Sequence, residues 1–480
     1  MQRAFRWYDS LTINSFWFAL TARSHMLSAL LIPLLVQQFM GEAAKGAYLG
    51  QMRLWALMTA LLAQAVMGML SDRSTARWGR RRPFIVAGAL GESLVLVLMG
   101  FAVGMQGLNG YIFLFILYIL ASIFSNTAQS AVQALIPDVV PHDKRGIVSG
   151  VKALFEVPLP MIFVSLVIGK MVSRGNINGA IAAIIATLIG CMLVTLLVKE
   201  TPLERKPEPF DWQPVLRLLV MTGVFTLIII GTGTLVKKAS LIEHSFSTLP
   251  KNAVIAVTAI LGMTTAIVLG VWASVRISVG KEIPQRKAFT WWVTNRLAFL
   301  VGATNLAGFI LYFLQERFPE LQGEKAAGPA STLIMFVGFT ILLSALPSGW
   351  LSDRVGRKNV LVISALLAAA GTAIVITGPT LTAFYIGGAL AGIGIGFFYS
   401  ANWALGTEIV PQEEAGRFLG LSNLAGAGAG AIGAYIGGPI GDQLGYGFLL
   451  GIYGTMFLLS LLALKGIPGN GYQSVKKLKT

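Results

Sequence analysis

Long apolar runs separated by short polar turns make up almost the whole chain. Fourteen of these runs approach or exceed about 20 residues, the length that a helix needs to cross the hydrocarbon core of a bilayer. A helix satisfies all of its backbone hydrogen bonds within one segment, so runs of this length favour helices over isolated strands in lipid. The pattern therefore predicts an all-α polytopic membrane protein with fourteen transmembrane helices.

The predicted spans fall into groups of six, two and six. They cover Asn14–Phe39, Tyr48–Leu70, Phe84–Gly104, Tyr111–Leu135, Ile147–Val172, Gly179–Val198, Val215–Val236, Asn252–Val275, Thr290–Leu314, Leu333–Leu351, Val360–Thr377, Leu381–Gly406, Phe418–Ile440 and Tyr446–Leu464. A polar linker with four prolines, Lys199–Pro214, precedes the middle pair. We therefore predict a six-helix half at 1–198, a linker with an inserted hairpin at 199–289, and a second six-helix half at 290–480. The inserted hairpin, Val215–Val275, is almost wholly apolar within its spans and is expected to be peripheral and to face lipid.

Lysine and arginine are distributed unevenly over the connecting loops. With both termini in the cytoplasm, roughly 25 of the 37 basic residues lie inside and about 9 outside, as the positive-inside rule requires. The remaining three, Arg23, Lys152 and Arg296, are placed within spans. The distribution predicts cytoplasmic termini in a cell membrane, either a plasma membrane or an inner membrane.

Two pairs of polar turns recur in the same order along the chain. Gly68–Ile85 reads GMLSDRSTARWGRRRPFI, and Gly349–Lys358 reads GWLSDRVGRK. Further on in each half, Pro137–Phe155 and Thr407–Ala425 share an acidic residue, a proline and two glycines four positions apart. This order predicts two duplicated six-helix halves with both Asp-Arg turns on the cytoplasmic side.

The Asp-Arg turns resemble the signature loop of the major facilitator superfamily. The matching residues are Gly68, Asp72, Arg73, Gly79, Arg80 and Arg81 in the first turn and Gly349, Asp353, Arg354, Gly356, Arg357 and Lys358 in the second. The longer form of the first turn, together with Asn126-Thr127-Ala128-Gln129, resembles the sucrose-type branch of the glycoside–pentoside–hexuronide:cation symporters. This resemblance implies alternating access and the transport of a small polar solute, with a saccharide or glycoside favoured and protons as the expected coupling ion.

Two positions depart from the sucrose-type pattern. Ser122 stands where those symporters carry an acidic residue, and Gln133 stands where they carry an arginine. In the family these groups are associated with proton coupling and sugar binding. Two alternatives therefore stay open: a drug or amphiphile efflux antiporter, since such proteins also have fourteen helices, and a non-transporting membrane assembly or scaffold protein with the same fold.

Charged residues near the cytoplasmic turns are candidates for a gate. Aspartates at helix ends can meet arginines and helix dipoles across the gap between the halves, and such pairs must break when that side opens. The alternative is that the arginines only fix the topology and contact lipid headgroups. The predicted gating residues are Asp72, Arg73, Arg80, Arg81, Asp138, Arg145, Asp353, Arg354, Arg357, Glu408 and Arg417.

Ionisable residues deep within spans are costly and point to substrate binding or coupling. Arg23 and His25 point to different faces of the first span, and we expect Arg23 to face the cavity and His25 to pack in the core or to titrate in coupling. Glu92, in the third span, is a candidate for coupling.

The fifth span carries two ionisable residues on one face. Lys152 and Glu156 are four positions apart, so they can form a structural pair or take part in coupling. Pro158 and Pro160 follow directly and should bend or break this helix. Arg296, near the start of its span, is expected to extend its side chain to the inner membrane surface.

Amides and aromatic rings recur at the same place in both halves. Asn126, Gln129 and Gln133 share one face of the fourth span, and Tyr399, Asn402 and Trp403 occupy the duplicated position. Such groups suit a sugar-like solute, which offers apolar ring faces and many hydroxyls, although helix packing explains the same pattern. Trp291 and Trp292 are expected in an interfacial aromatic belt.

Composition excludes several other classes of protein. The chain of 480 residues is 55% hydrophobic and only 12% charged, and its net charge of +16 is spread over short loops, so we predict no nucleic-acid partner. The single Cys191 excludes an intramolecular disulfide. Gly426–Asp442 lacks the strand and the lysine of a phosphate-binding loop, and its small residues four positions apart predict close helix contact.

The remaining chemistry gives no sign of catalysis. No metal-ligand spacing and no nucleophile–base pair occur in the sequence, so we predict neither an enzyme nor a cofactor. The predicted partners are the lipid bilayer, a small-molecule substrate and protons. The sequence leaves the oligomeric state open.

Overall fold

The architecture is a series of long helices joined by short turns. A computed structural model describes residues 6–200, 211–241, 251–279, 287–409 and 415–467. The helices are α1 (Trp7–Met40), α2 (Lys45–Asp72), α3 (Arg82–Ala102), α4 (Gly107–Val139), α5 (His142–Ser173), α6 (Ile177–Thr195), α7 (Gln213–Leu241), α8 (Lys251–Val279), α9 (Lys287–Arg317), α10 (Gly323–Val355), α11 (Arg357–Thr377), α12 (Leu381–Ile409), α13 (Ala415–Leu444) and α14 (Tyr446–Ala463).

Length and composition make these helices suitable for a membrane. Within the described residues, thirteen are long and apolar enough to cross one. The glycine-rich α13, with 30 residues, is a fourteenth long helix. The predicted all-α fold with fourteen membrane-length helices is therefore confirmed.

Several helices extend beyond the apolar runs that predicted them. α1 begins at Trp7, ahead of the predicted Asn14, and α9 begins at Lys287, ahead of Thr290. Hydropathy marks the segment that lipid can cover, whereas polar residues continue a helix into water. A residue in either helix therefore lies further along the helix than a count from the predicted start gives, although its position relative to the apolar segment is the same.

The predicted break in the fifth span is present in α5. Its first helical segment ends at Glu156, and Val157 has φ −119° and ψ −76°. The next segment begins at Pro158, where a proline is tolerated because the first helical residue has no intrahelical acceptor for its N–H. The break separates the Lys152–Glu156 face from the rest of α5.

The chain forms two compact units. Unit 1 consists of Met1–Glu42, Trp55–Leu218 and Phe318–Met335. Unit 2 consists of Ala43–Leu54, Leu219–Arg317 and Phe336–Thr480.

Small residues allow close helix packing in unit 1. Gly88 of α3 lies against Ala128 and the backbone carbonyl of Phe124 in α4, with no room for a Cβ. α1 packs against α6, where the hydroxyls of Ser15 and Thr195 lie 2.9 Å apart. These contacts hold α3 against α4 and α1 against α6.

Helix α9 is the central helix of the unit 2 core. Its Phe299 stacks on Phe398 of α12 with ring centroids 3.7 Å apart and contacts Phe457 of α14 at 4.8 Å. Asn305 of α9 is fully buried and donates a hydrogen bond from Nδ2 to the carbonyl of Ala429 in α13. These contacts fix α12 and α13 against α9.

The inserted pair, α7 and α8, packs on unit 2 along one face. Phe225 of α7, buried, fills the space beside Gly270 of α8 and Gly428 of α13. Other apolar side chains of the pair are open, with Leu227 69% exposed and Leu261 59% exposed. Exposed apolar side chains of this kind are what lipid covers in a membrane protein.

Two helix backbones come into direct contact where α2 passes α13 within unit 2. Gly46 lies against the carbonyl of Gly438, and Gly50 lies against the carbonyl of Ala434. Asp442 strengthens this contact, since its carboxylate accepts hydrogen bonds from the N–H groups of Gly46 and Ala47, both at 2.8 Å. The close contact predicted for the small residues of Gly426–Asp442 is therefore present.

We expect Gly438→Ala to destabilise the protein by about 1–3 kcal/mol, because its Cβ would overlap the Gly46 backbone. Gly426→Ala on the same helix is the matched control, since nothing lies within 4 Å of its Cβ position. Thermal unfolding in detergent compares the two variants with the wild type. Equal stability of Gly438→Ala and Gly426→Ala would show that the α2–α13 contact adapts without cost.

Candidate functional site

Arg81 is the centre of the first Asp-Arg turn. It is only 3% exposed and lies where the end of α2, the start of α3 and the end of α4 meet. Its Nη2 contacts the Asp72 carboxylate at 2.5 Å, its Nε donates to Asp138 at 2.9 Å, and its Nη1 donates to the Ser71 hydroxyl at 2.7 Å. One guanidinium therefore connects the ends of α2 and α4 through three charged or polar partners.

The neighbouring arginines contact the end of α4. Arg80 contacts the Asp138 carboxylate at 2.5 Å, so that Asp138 pairs with two arginines. Arg145 donates to the carbonyls of Pro137 and Val140 at 2.9 and 3.2 Å, which satisfies acceptors at a helix C-terminus. Arg73 is partly buried in the same turn.

Glu200, which the sequence did not single out, also joins this turn. Its Oε2 accepts a hydrogen bond from the Arg81 N–H at 2.6 Å, just before α3 begins. Burial raises the pKa of the Glu200 carboxyl, and the Arg81 N–H and the positive charges of Arg82 and Arg81 partly oppose that shift. An acidic residue directly after the last apolar run of the first half was the available signal.

The second Asp-Arg turn repeats one of these pairs within unit 2. Arg357 contacts the Glu408 carboxylate at 2.6 Å, and these residues occupy the same places in the repeat as Arg80 and Asp138. Lys358 donates to the carbonyl of Ile467. The equivalence of the two pairs supports the duplication.

The other residues of the second turn are less buried. Arg354 lies over the Trp350 ring at 4.0 Å, and Asp353 is exposed. The side chain of Arg417 lies outside the described residues. The ion pairs described in both turns join helices of a single unit, and pairing across the gap between the halves stays a prediction.

Arg23 and Glu92 form a buried ion pair between α1 and α3. Glu92 is fully buried and Arg23 is 8% exposed, and Arg23 Nη2 donates to the Ala121 carbonyl of α4 at 2.9 Å. Arg23 was expected to face an open cavity, but it is instead buried inside unit 1. His25 is partly buried on a different face of α1.

Lys152 and Glu156 form another ion pair of unit 1, and it is partly exposed. Lys152 Nζ and Glu156 Oε2 are 3.3 Å apart, with 24% and 40% of the side chains exposed. The same Nζ lies 3.9 Å from the centroid of the buried Trp17 ring of α1. The pair and the ring thus combine a titratable carboxylate, a cation and an aromatic surface.

The amides of α4 differ in exposure. Asn126 donates from Nδ2 to the Ser122 carbonyl of its own helix at 2.8 Å, and Gln129 is partly buried. Gln133 is exposed, and its Oε1 accepts a hydrogen bond from Gln64 Nε2 of α2 at 3.2 Å. Gln64 is a further polar residue that the sequence did not single out.

Asn402 organises the corresponding polar cluster in unit 2. It is fully buried, its Oδ1 accepts from Arg296 Nη1 at 2.9 Å, and its Nδ2 donates to Asn295 Oδ1 at 3.2 Å. Its neighbours on α12 are open, with Tyr399 40% exposed and Trp403 49% exposed. The predicted trio thus divides into one buried residue that holds Arg296 and two exposed aromatic rings.

The contacts of α9 bear on two expectations. Arg296 Nη1 donates to Asn402 Oδ1 at 2.9 Å, and the extension of Arg296 to the membrane surface stays a prediction. Trp292 is only 3% exposed and donates from Nε1 to the Asn402 carbonyl at 2.9 Å, so it belongs to the packed interior of unit 2 and not to an interfacial belt.

Two buried basic residues of α2 were missed as candidates. Arg53 of α2 is 8% exposed and lies 5.8 Å from the centroid of the Phe309 ring. Lys45, at the start of α2, is 4% exposed and lies 4.6 Å from the Tyr312 ring. An arginine inside the apolar run Tyr48–Leu70 was the signal for the first of them.

Comparison with known proteins assigns the chain to a family. The model of the Major Facilitator Superfamily matches residues 17–318 and 297–471. The chain belongs to the Major Facilitator Superfamily. This assignment confirms the family predicted from the Asp-Arg turns and supports the prediction that the chain is not an enzyme.

Relatives of this major facilitator protein differ in what their names say they transport. The "Multidrug resistance protein MdtG" of Serratia proteamaculans is 32% identical over 190 residues, 38% of this chain and 44% of that protein. The "Sucrose transport protein SUC3" of Arabidopsis thaliana is 28% identical over 199 residues, 35% of this chain and 34% of that protein. The chain therefore spans less than half the length of these curated relatives.

Solved structures confirm the major facilitator fold over nearly the whole chain. A peptide transporter POT in complex with sulfate superposes with a TM-score of 0.66, covering 97% of this chain and 95% of its own, at 13% identity. At that identity the likeness shows the fold alone.

Proposed function

We propose that the protein is a secondary active transporter that moves a small polar organic solute by alternating access, with a saccharide or glycoside favoured. The observation that carries this proposal is the polar and aromatic chemistry within membrane-length helices of both units. In unit 1 it includes Trp17, Lys152 and Glu156, and in unit 2 it includes Tyr399 and Trp403. Rings that stack on sugar faces, beside groups that bond hydroxyls, are the features that such a solute requires.

Proton coupling is part of the proposal, with Glu156 as the coupling residue. Its side chain is 40% exposed and lies 3.3 Å from Lys152, so a change in the charge of Glu156 would change the pairing of Lys152. Glu92, in contrast, is fully buried in its pair with Arg23. We therefore assign coupling to Glu156 and a structural role to the Arg23–Glu92 pair.

The turns provide the gate in this scheme. We propose that the Asp72, Arg81 and Asp138 contacts in the first turn, and the Arg357–Glu408 pair in the second, stabilise one conformation of the cycle. The segments 1–198, 199–289 and 290–480 then act as the two halves and the insertion. Both termini are placed in the cytoplasm of a plasma or inner membrane, following the distribution of basic residues.

Two other functions are distinguishable from this one. An efflux antiporter for drugs or amphiphiles is the second candidate, favoured by the similarity to a protein named for multidrug resistance. A non-transporting assembly or scaffold protein is the third, and stable recovery in a stoichiometric complex would favour it.

Uptake into proteoliposomes tests the proposal. We expect labelled disaccharides to accumulate when an inward proton gradient is imposed, and accumulation to collapse on addition of a protonophore. Glu156→Gln should abolish gradient-driven accumulation yet retain exchange of labelled for unlabelled solute, because exchange needs no net proton movement.

Asp143→Asn, which alters an exposed carboxylate in the first turn of α5, is the matched control and should behave as the wild type. Gradient-driven accumulation by Glu156→Gln would show that Glu156 is not the coupling residue. If sealed vesicles take up no sugar, efflux becomes the favoured function.

A further inference from the structure

The first turn of α2 is bound by a carboxylate of α13. Asp442 Oδ1 accepts a hydrogen bond from the Gly46 N–H, and its Oδ2 accepts one from the Ala47 N–H, both at 2.8 Å. These two bonds form the Asp442 clasp. The first N–H groups of a helix have no acceptor within it and carry the positive end of its dipole. An ionised carboxylate therefore satisfies both donors, and each of its oxygens is in use.

Charged and titratable groups of three helices lie around this carboxylate. Tyr446 of α14 donates from its hydroxyl to Asp442 Oδ1 at 2.7 Å. Lys45 of α2 is 4% exposed, and its Nζ lies 4.6 Å from the centroid of the Tyr312 ring of α9 and 5.4 Å from that of Tyr446. Glu316 of α9 accepts a hydrogen bond from the Tyr446 N–H at 2.5 Å. Glu316 is thus a second carboxylate of this cluster, and a test has to distinguish it from Asp442.

Asp442 lies beyond the predicted span Phe418–Ile440 and is partly buried. Burial raises the pKa of its carboxyl, and the Tyr446 hydroxyl, the two N–H groups of α2 and the charge of Lys45 partly oppose that shift. The carboxyl therefore takes up a proton at a higher pH than an ordinary aspartate does. A proton on either oxygen removes the acceptor of one N–H group in the clasp.

Helix α2 is shared by the two units. Residues 43–54 belong to unit 2, and the helix from Trp55 onward belongs to unit 1. The clasp and the close approach of the Gly46 and Gly438 backbones hold the first part of α2 on unit 2. Backbone groups do not titrate, so the carboxylate is the part of this contact that a proton changes.

Helix α10, the counterpart of α2 in the second repeat, is held by neutral groups. Its first part belongs to unit 1, where Ser165 of α5 donates to the Thr332 hydroxyl at 3.3 Å and Ser331 lies against Gly169. These hydroxyls keep their hydrogen-bonding capacity over the range in which a carboxyl titrates. The contact of α10 with α5 therefore provides a reference within the same protein.

We propose that the Asp442 clasp is a proton-sensitive switch that releases the start of α2 from α13 when the exterior becomes acidic. This inference rests on the proposed function, whose topology places the start of α2 and the end of α13 on the side opposite the cytoplasm. An ionised Asp442 holds α2, and a protonated Asp442 weakens that hold. The switch adds regulation by external protons to a cycle in which Glu156 remains the coupling residue.

Hydrogen–deuterium exchange on the full chain in detergent measures the clasp directly, because the Gly46 and Ala47 amides are its donors. Exchange at these amides is followed from pH 8 to pH 4 by mass spectrometry with residue-level fragmentation and is corrected for the pH dependence of the chemical exchange rate. We expect at least about a tenfold rise at low pH, the effect of one lost charge-assisted hydrogen bond. Residues 327–335 of α10 are the internal reference and should show no such rise.

Variants assign the rise to Asp442. Asp442→Asn should exchange rapidly at every pH, because its Nδ2 cannot accept from an N–H group. Tyr446→Phe should move the midpoint of the rise to higher pH, since the hydroxyl bonds the charged form and its loss favours protonation. The matched control is Glu320→Gln, which alters an exposed carboxylate in the turn between α9 and α10 and should exchange as the wild type does. Thermal unfolding of each variant establishes that it is folded, and if Asp442→Asn is not, the direction of the Tyr446→Phe shift decides.

The outcomes separate the two proposals. Equal exchange at pH 8 and pH 4, a rise that persists in Asp442→Asn, a rise that is lost in Glu316→Gln instead, or a midpoint that does not move upward in Tyr446→Phe would each overturn the switch. A clasp that ignores pH in a protein that accumulates sugar would remove this inference and leave the transporter standing. A clasp that responds to pH through Asp442, without uptake of any sugar, would support the inference and contradict the proposed transport.

Discussion

Arg23→Gln is expected to destabilise the protein by about 3–5 kcal/mol, because it leaves the Glu92 carboxylate buried without its counter-ion. Glu92→Gln should have an effect of the same sign, since it leaves the guanidinium with the Ala121 carbonyl as its remaining described acceptor. Thermal unfolding in detergent, with the recovery of monodisperse protein, measures both losses.

The double variant Arg23→Met, Glu92→Leu should recover most of this loss. Replacing a buried ion pair with apolar side chains of similar volume is often neutral, because neither charge then has to be removed from water. If the pair is structural, as we propose, the double variant should also retain proton-driven uptake. Loss of coupling in a well-folded double variant would place Glu92 in the coupling machinery instead of Glu156.

Glu156→Gln is the matched comparison for stability. Its pair with Lys152 is partly exposed, with 24% and 40% of the side chains open to solvent, so we expect a change of no more than about 1 kcal/mol. A loss as large as that of Arg23→Gln would show that the partly open pair is as important to the fold as the buried one.

The duplication explains why the turns were predictable from the sequence. Arg80 with Asp138 and Arg357 with Glu408 occupy equivalent places in the two repeats, so each copy supported the interpretation of the other. The break after Glu156 was equally predictable from the sequence, because a proline within a helix acts through local geometry alone. Repeated motifs and local backbone preferences can both be recognised in the amino-acid sequence alone.

Pairs between distant helices were not predictable in the same way. Arg23 and Glu92 were each recognised as costly in a span, but their meeting depends on how α1 and α3 are rotated and shifted against each other. The contacts of Arg296 and Trp292 were not predictable for the same reason, because their partner Asn402 lies on α12. Glu200 has no counterpart in the repeat that would have drawn attention to it.

Arg81→Gln is expected to slow transport by about ten- to a hundredfold through its effect on the gate. Arg81 contacts Asp72, Asp138 and Ser71, and charge-assisted hydrogen bonds contribute about 1.5–3 kcal/mol each. Removing the guanidinium should shift the conformational equilibrium away from the state in which these contacts form. Initial uptake rates in proteoliposomes measure the change.

The fold should survive this substitution. Asp138 keeps its contact with Arg80, and Asp72 is 61% exposed, so neither carboxylate is left buried without a partner. Thermal unfolding should therefore change much less for Arg81→Gln than for Arg23→Gln. A large loss of folded protein would mean that Arg81 holds unit 1 together and would leave its gating role without support.

Two further variants in the same turn make the test specific. Arg77→Gln removes an exposed arginine and should transport as the wild type does. Asp72→Asn removes one of the Arg81 partners and should slow transport by less than Arg81→Gln, because Asp138 and Ser71 still hold the guanidinium. If Arg77→Gln slows transport as much as Arg81→Gln, the turn acts through its total positive charge at the membrane surface, and the gate formed by Arg81 is excluded.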